Sequence, residues 1–397
     1  MRRALYGAAL FVVATFTAAL AQGGSPIRIG VLNDQSGVFA DLAGPGSVTA
    51  AQMAAEDFGG QVLGRKVEIL VADHQSKPDI GAAIARRWFD EEGVHAIVDV
   101  PVSSVGLAVQ QIAKEKKRIV MFSGSTTSEL VGKACSPTGF QWTLNTASEA
   151  KGIASSVAKT GVDTWFFITA DYAFGRAMEA DATAVINAHG GRVLGTVRHP
   201  INTNDFASYL LQAQASGAKV VALASGGSDL INLIKQAGEF GLSAGGQRPV
   251  SLQSFISDIH SLGLEKAQGL LLIAAFYWDL DDQTRAWSQR FAQRNGGQMP
   301  TMVQAGVYSA VSHYLKALKE AGTDDATTVA SQMRQMRVND FMTHNAQIRN
   351  DGWVMRDFYL FQVKSPAESK GAWDYYKKLE HIAAEEAAPP KADCQRQ

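Results

Sequence analysis

From Ile27 onward the chain alternates short apolar runs with amphipathic stretches of helical period. Ile27 to Leu32 reads as a strand and is followed by a polar loop, 33–46. Val48 to Phe58 places Ala50, Ala51, Ala54, Ala55 and Phe58 on one face, which predicts a helix. Strands are predicted at Val67–Ala72, Ala96–Val100 and Arg118–Phe122, with helices at Ile80–Glu92 and Val105–Lys114. The pattern then restarts. Strands fall at Thr164–Ile168, Arg192–Val197, Lys219–Ala224, Val250–Leu252 and Leu270–Ala274, with helices at Gly175–His189, Phe206–Ser216 and Asp229–Phe240. Two more helices, Thr284–Arg294 and Val303–Ala321, precede a late strand at Phe358–Val363, and the stretch from Glu385 reads as loose surface chain. Short Val/Ile-rich strands separated by helices belong to parallel sheets covered on both faces. The expectation is an α/β protein of two similar units with a cleft between them.

The N-terminus changes the setting. Met1-Arg2-Arg3 is a positive start, Ala4 to Leu20 is uncharged and apolar, and Ala19-Leu20-Ala21 is the small-x-small pattern of a cleavage site. This is a signal peptide, residues 1–21, cut after Ala21. A retained anchor is the alternative, since roughly 17 residues is about the minimum span. The expected location is therefore the periplasm. Export also gives meaning to the two cysteines, Cys135 and Cys394, an even pair in a compartment where disulfides form. A bridge would pin the C-terminal tail to the first half of the chain; two free thiols are the alternative. The balance of 37 Lys+Arg against 38 Asp+Glu offers no basic excess for nucleic acid.

In open α/β sheets ligands gather at the carboxyl ends of strands, so the loops after each strand select the candidates. They are 33–41, with Phe39; Pro101-Val102-Ser103-Ser104; and Ser123-Gly124-Ser125-Thr126-Thr127-Ser128. The second unit offers 170–175, with Tyr172; Ser225-Gly226-Gly227-Ser228; and Gln253-Ser254-Phe255. Ser103-Ser104 at a helix start reads either as an N-cap or as a carboxylate site made of free N–H groups and a hydroxyl. The hydroxyl-rich loop Ser125–Thr127 beside it makes a pocket for a small anion held by neutral donors. Tyr172 and Gly227 would form the opposite wall. Trp142, Phe255 and Tyr277 are aromatics near the crossings between units, with core packing as the alternative reading.

Signals for catalysis are weak. Gly-x-Ser-x-Gly, His-Glu-x-x-His and a phosphate loop are all absent, the eight histidines are scattered, and Gly44-Pro45-Gly46 lacks the third glycine of a dinucleotide fingerprint. No enzyme, metal or cofactor is expected. A serine hydrolase would need a distant histidine beside Ser103 or Ser125.

The mature chain resembles the periplasmic solute-binding proteins of the branched-chain amino-acid type. The resemblance runs from Ile27 to about Tyr376 and rests on Ile29-Gly30-Val31 with Gln35-Ser36-Gly37, Pro101-Val102-Ser103-Ser104-Val105, 121–127, Asp171-Tyr172-Ala173-Phe174-Gly175 and Asn204-Asp205-Phe206. It implies a type I two-lobed fold with a three-strand hinge: lobe one at 27–144 plus 278–350, lobe two at 147–275 plus 356–380, and a tail at 381–397. It implies a carboxylate ligand held by Ser103 and Ser125–Thr127, with Tyr172 closing over it. It also implies delivery to the membrane subunits of an ABC importer by a monomer. One departure bears on the ligand: the loop that carries an acid for the ligand's ammonium in this family is Gln253-Ser-Phe-Ile256 here. Phe276–Leu280, Thr284–Trp287, Met299–Gly306, Ser369–Tyr376 and the late Cys394 resemble a subgroup that binds aromatic carboxylates such as hydroxycinnamates and benzoates. A branched-chain amino acid or amide ligand, or an exported sensor with the same cleft, is the alternative.

Overall fold

The computed structural model describes residues 24–394; the expected signal segment and its cleavage point lie outside the described residues. The first unit runs β1 (Ile27–Asn33), α1 (Gly44–Asp57), β2 (Gln61–Val62), β3 (Arg65–Asp73), α2 (Pro78–Asp90), β4 (Val94–Asp99), α3 (Ser103–Glu115), β5 (Ile119–Phe122) and β6 (Gly139–Gln141). Its sheet has the order β2-β3-β1-β4-β5-β6, parallel except for the β2–β3 hairpin. The buried Ile29, Val31, Ile97, Val98, Val120 and Met121 fill its centre, which is why these strands read as continuous apolar runs.

The second unit runs α4 (Thr146–Ala158), β7 (Thr164–Ala170), α5 (Ala173–Ala188), β8 (Arg192–His199), α6 (Ala207–Ala215), β9 (Val220–Ala224), α7 (Gly227–Glu239), β10 (Arg248–Ser251), α8 (Ile256–Leu262) and α9 (Leu264–Ala267). Its parallel sheet has the order β10-β9-β7-β8. β11 (Leu271–Ala274) follows. Helices α10 (Asp282–Arg294) and α11 (Met302–Ala321) then return to pack against α1, and α12 (Ala326–Gln335) packs on α11. After the small β12 (Gln347–Ile348) and β13 (Val354–Met355), β14 (Phe358–Val363) pairs antiparallel with β11 and with β15 (Tyr376–Ile382). The chain thus passes between the two units three times, after β6, after β11 and before β14.

In the first sheet the strand order reverses between β1 and β4, and in the second between β7 and β9. Such switch points open a crevice at the carboxyl ends of the strands. The loops there carry Phe39 and Ser103 in one sheet, and Tyr172 and Gly227 in the other.

Two expectations change. The stretch from Glu385 is not loose: a short helix, α13 (Ala384–Ala387), buries Ala387. Arg349 donates to the carbonyls of Pro389 and Pro390, and a disulfide joins Cys394 to Cys135 with Cα atoms 5.6 Å apart. Trp142 follows the alternative reading of core packing and is fully buried. Its indole N–H donates to Ser309 Oγ on α11 at 2.9 Å and its ring lies 5.5 Å from that of His313, so it serves as core.

Candidate functional site

Three loops of the first sheet are tied together by one buried aspartate, through its side chain and its main-chain carbonyl. Asp99, at the end of β4, accepts from Asn33 Nδ2 at 2.9 Å, and its carbonyl accepts from the N–H groups of Ser123 and Gly124. Asp99 and Val100 both have positive φ, 86° and 50°. Two successive non-glycine residues in that region store strain that the surrounding bonds must hold, a feature common at binding sites. Burial pushes the Asp99 carboxyl up to about 6, against the stabilising bonds from Ser47 and Asn33.

This turn delivers Ser103 to the first turn of α3. Ser103 Oγ accepts from the N–H groups of Thr126 and Thr127, each at 3.2 Å, which leaves its own proton free to donate. Ser104 is half-buried on the same turn. Ser125 does not present its hydroxyl to the cleft as expected, because it donates to the Val100 carbonyl and braces the loop from behind. Thr127 Oγ1 accepts from Glu129 N and caps the next turn. Gln141 Nε2 donates to the carbonyls of Ser125 and Thr127, both at 3.1 Å, and is itself held through Asn145. Gln141 and Asn145 have no signal in sequence beyond an Asn at a helix start.

The loop after β1 is ordered in the same way: buried Asp34 accepts from Gly37 N at 2.8 Å, Phe39 N at 3.1 Å and Ser76 Oγ at 3.2 Å. Phe39 then meets Tyr172 of the second unit, ring centroids 6.2 Å apart, and Tyr172 meets Phe174 at 5.7 Å. Burial, with the nearby Asp229 carboxylate, raises the Tyr172 hydroxyl far above its ordinary range and keeps it a donor. Beside this pair Ser228 N donates to the Val38 carbonyl at 3.1 Å. Gly227 has φ +60°, and a Cβ there would sit 2.3 Å from that carbonyl oxygen, so only glycine allows the approach.

The second wall holds a group that the sequence reading missed. Glu149, in the first turns of α4, is 1% exposed, and Gln253 Nε2 donates to both of its carboxylate oxygens at 3.0 and 2.8 Å. The same amide lies 3.3 Å from Thr126 Oγ1. A buried acid therefore stands next to the hydroxyl loop, at the Gln253 position that lacks one in sequence. Burial pushes its carboxyl well above the ordinary range, with Gln253 opposing and Asp181 adding to the rise. Asp229, in the first turn of α7, is pushed by burial to about 6 despite bonds from the N–H groups of Asn202 and Thr203. The missed signal is the Asn145 N-cap followed by Ala150, Ile153, Ala154 and Val157 at helical spacing.

Phe255 and Tyr277 lie elsewhere than the Phe39–Tyr172 pair. Both line a small enclosure with Phe276, Met302 and Tyr376. The Tyr277 hydroxyl donates to the Trp373 carbonyl at 3.1 Å, and Phe255 caps α8 through Asp258. Their place is at the chain crossings.

Residues 26–372 match a family model described as a periplasmic binding protein. A periplasmic binding protein from Burkholderia mallei is 43% identical, with a TM-score of 0.90 and 92% of this chain and 96% of that one covered. A structure described as a branched chain amino acid ABC transporter periplasmic ligand-binding protein, from Burkholderia xenovorans, is 40% identical, with a TM-score of 0.80 and coverage of 92% and 97%. Leu/Ile/Val-binding protein homolog 6 of Brucella melitensis is 28% identical over 269 residues, 66% of this chain and 68% of that protein.

Proposed function

The chain belongs to the periplasmic binding protein family, and from that premise we propose an exported solute-binding protein that captures a small carboxylate and hands it to the membrane subunits of an ABC importer. The observation that carries this reading is the meeting of a hydroxyl and N–H pocket and Phe39 from one sheet with Tyr172 from the other. Ser103 and Thr126 receive the carboxylate, and the body of the ligand lies against Phe39 and Tyr172. Ligand that touches both lobes favours the closed arrangement, and the importer reads closure. No bond is broken. A benzoate or hydroxycinnamate suits the aromatic pair. A second reading, an α-amino acid or its amide, is favoured by Glu149, because a buried carboxylate beside the hydroxyl loop is placed to receive an ammonium.

The test is a thermal-shift and calorimetric panel of benzoates, hydroxycinnamates and branched-chain and aromatic amino acids on wild type, Ser103→Ala and Glu149→Gln. Saturating ligand at 100 times its Kd stabilises the fold by about 2.7 kcal/mol. Loss of a charge-assisted bond in Ser103→Ala weakens a carboxylate ligand by about ten- to a hundredfold. Unchanged affinity for every carboxylate removes the anion pocket. Glu149→Gln leaves an aromatic acid bound as tightly or more tightly, whereas it weakens an amino acid by at least a hundredfold.

A further inference from the structure

A second polar cavity, of about 260 Å³, lies where the chain makes its last passage between the units. Ala275, directly after β11, and Arg356-Asp357, directly before β14, both line it, with Arg337, Thr343 and His344 around them. Arg356 is 3% exposed. One guanidinium nitrogen, Nη1, donates to the thioether of Met342 at 3.1 Å, a weak acceptor, while Nε and Nη2 are buried with no partner among the described residues. Thr343 Oγ1 is likewise buried and unpartnered.

The neighbouring carboxylates are committed elsewhere. Asp340 accepts from the N–H groups of Met342 and Thr343 and from the Ser309 hydroxyl. Asp357 accepts from His381 Nε2 at 2.9 Å and from Ala384 N at 3.0 Å. Glu385 lines the rim. At that rim Arg337 is exposed, and the Gln347 amide, turned so that its oxygen faces the guanidinium, accepts from both Nη atoms at 3.1 and 2.9 Å. A buried guanidinium needs a counter-charge and acceptors for its fixed fork of N–H groups. Burial pulls the Arg356 pKa down to about 10 against the opposing pull of the Asp340 carboxylate, which still leaves it charged at neutral pH.

We propose that this cavity binds a small oxyanion, held in the Arg356 fork, hydrogen-bonded by Thr343 Oγ1 and covered at the rim by Arg337. The shared chemistry is that of sulfate, phosphate or a short carboxylate. Because the site joins the end of β11 to the start of β14, a bound anion braces two of the three crossings.

The test follows the unfolding temperature of wild type and of Ser103→Ala during titration with sulfate, phosphate and acetate, at ionic strength held constant with chloride. At least one oxyanion should raise it along a saturable curve with the same midpoint in both proteins. Arg356→Lys, which loses the fork, should move that midpoint at least tenfold upward, and Arg337→Ala at least threefold. If Arg356→Lys fails to fold, Arg337→Ala on the exposed rim decides. A rise matched by chloride alone, a response lost in Ser103→Ala, or an unmoved midpoint in the folded arginine variants overturns the proposal.

Discussion

Asp258 accepts from Phe255 N at 2.8 Å to cap α8, is 2% exposed, and is pushed by burial to about 7. Its folded pKa is above the unfolded value of about 3.9, so the fold favours the protonated form. That contribution is complete below about pH 4 and is lost as pH rises through 7. Asp258→Asn keeps an acceptor for the cap and never ionises. Its unfolding temperature should exceed wild type at pH 8 and decline less between pH 6 and 7.5, above Asp99 and Asp229, each near 6, while the raised Glu149 carboxyl keeps its own share of the pH dependence in both proteins. Parallel curves for the two proteins would mean that burial does not hold this proton. Asp258 also shows what single residues disclose. Its place near a helix start is legible because capping is local, and Ser103, Thr126 and Phe39 emerge because they follow strands. Glu149 and Gln141 stay hidden, since nothing beside them in the chain names their partners.

At the scale of elements, the close meeting of the loop after β1 with the start of α7 depends on Gly227. Gly227→Ala should lower the stability of the ligand-free protein by at least the left-handed backbone cost, about 1–2 kcal/mol. The lobe-to-lobe approach at Val38 is blocked in addition, so ligand affinity should fall at least tenfold more than that loss explains. Calorimetry with the ligand found by the panel, set beside thermal unfolding without it, separates the two effects. An affinity loss no larger than the stability loss would show that closure does not need this contact. Elements with strong periodicity were read to within a few residues; Phe358–Val363 coincides with β14. Those with weak patterns were missed. α4 is built of Ala, Ser and Gly with few large apolar residues, and β15 exposes five successive side chains, from Lys377 to His381.

For the molecule as a whole, the bond between Cys135 and Cys394 closes a segment of 259 residues and fixes the tail near Arg349. In the chain-entropy account such a link is worth on the order of 5 kcal/mol, with about 2–5 kcal/mol usual for native bridges. The Cys135→Ser/Cys394→Ser pair should therefore unfold at a markedly lower temperature and be cut by protease within the segment 388–394. Ligand affinity should hold, since both cysteines lie outside the loops that carry Phe39, Ser103, Thr126 and Tyr172. Equal unfolding temperatures would show that packing of the tail alone carries its stability. The sequence by itself determined the α/β alternation, the two units and the loops that follow the strands, because periodicity, caps and strand ends are properties of neighbouring residues. Only the tertiary structure decided that Glu149 meets Gln253, 104 residues away, that Gly227 must be bare beside Val38, that Trp142 is core, and that Arg356 is buried with two guanidinium nitrogens unpartnered among the described residues. Burial and the identity of a hydrogen-bond partner come from segments distant in the chain, and they exist only once those segments have packed.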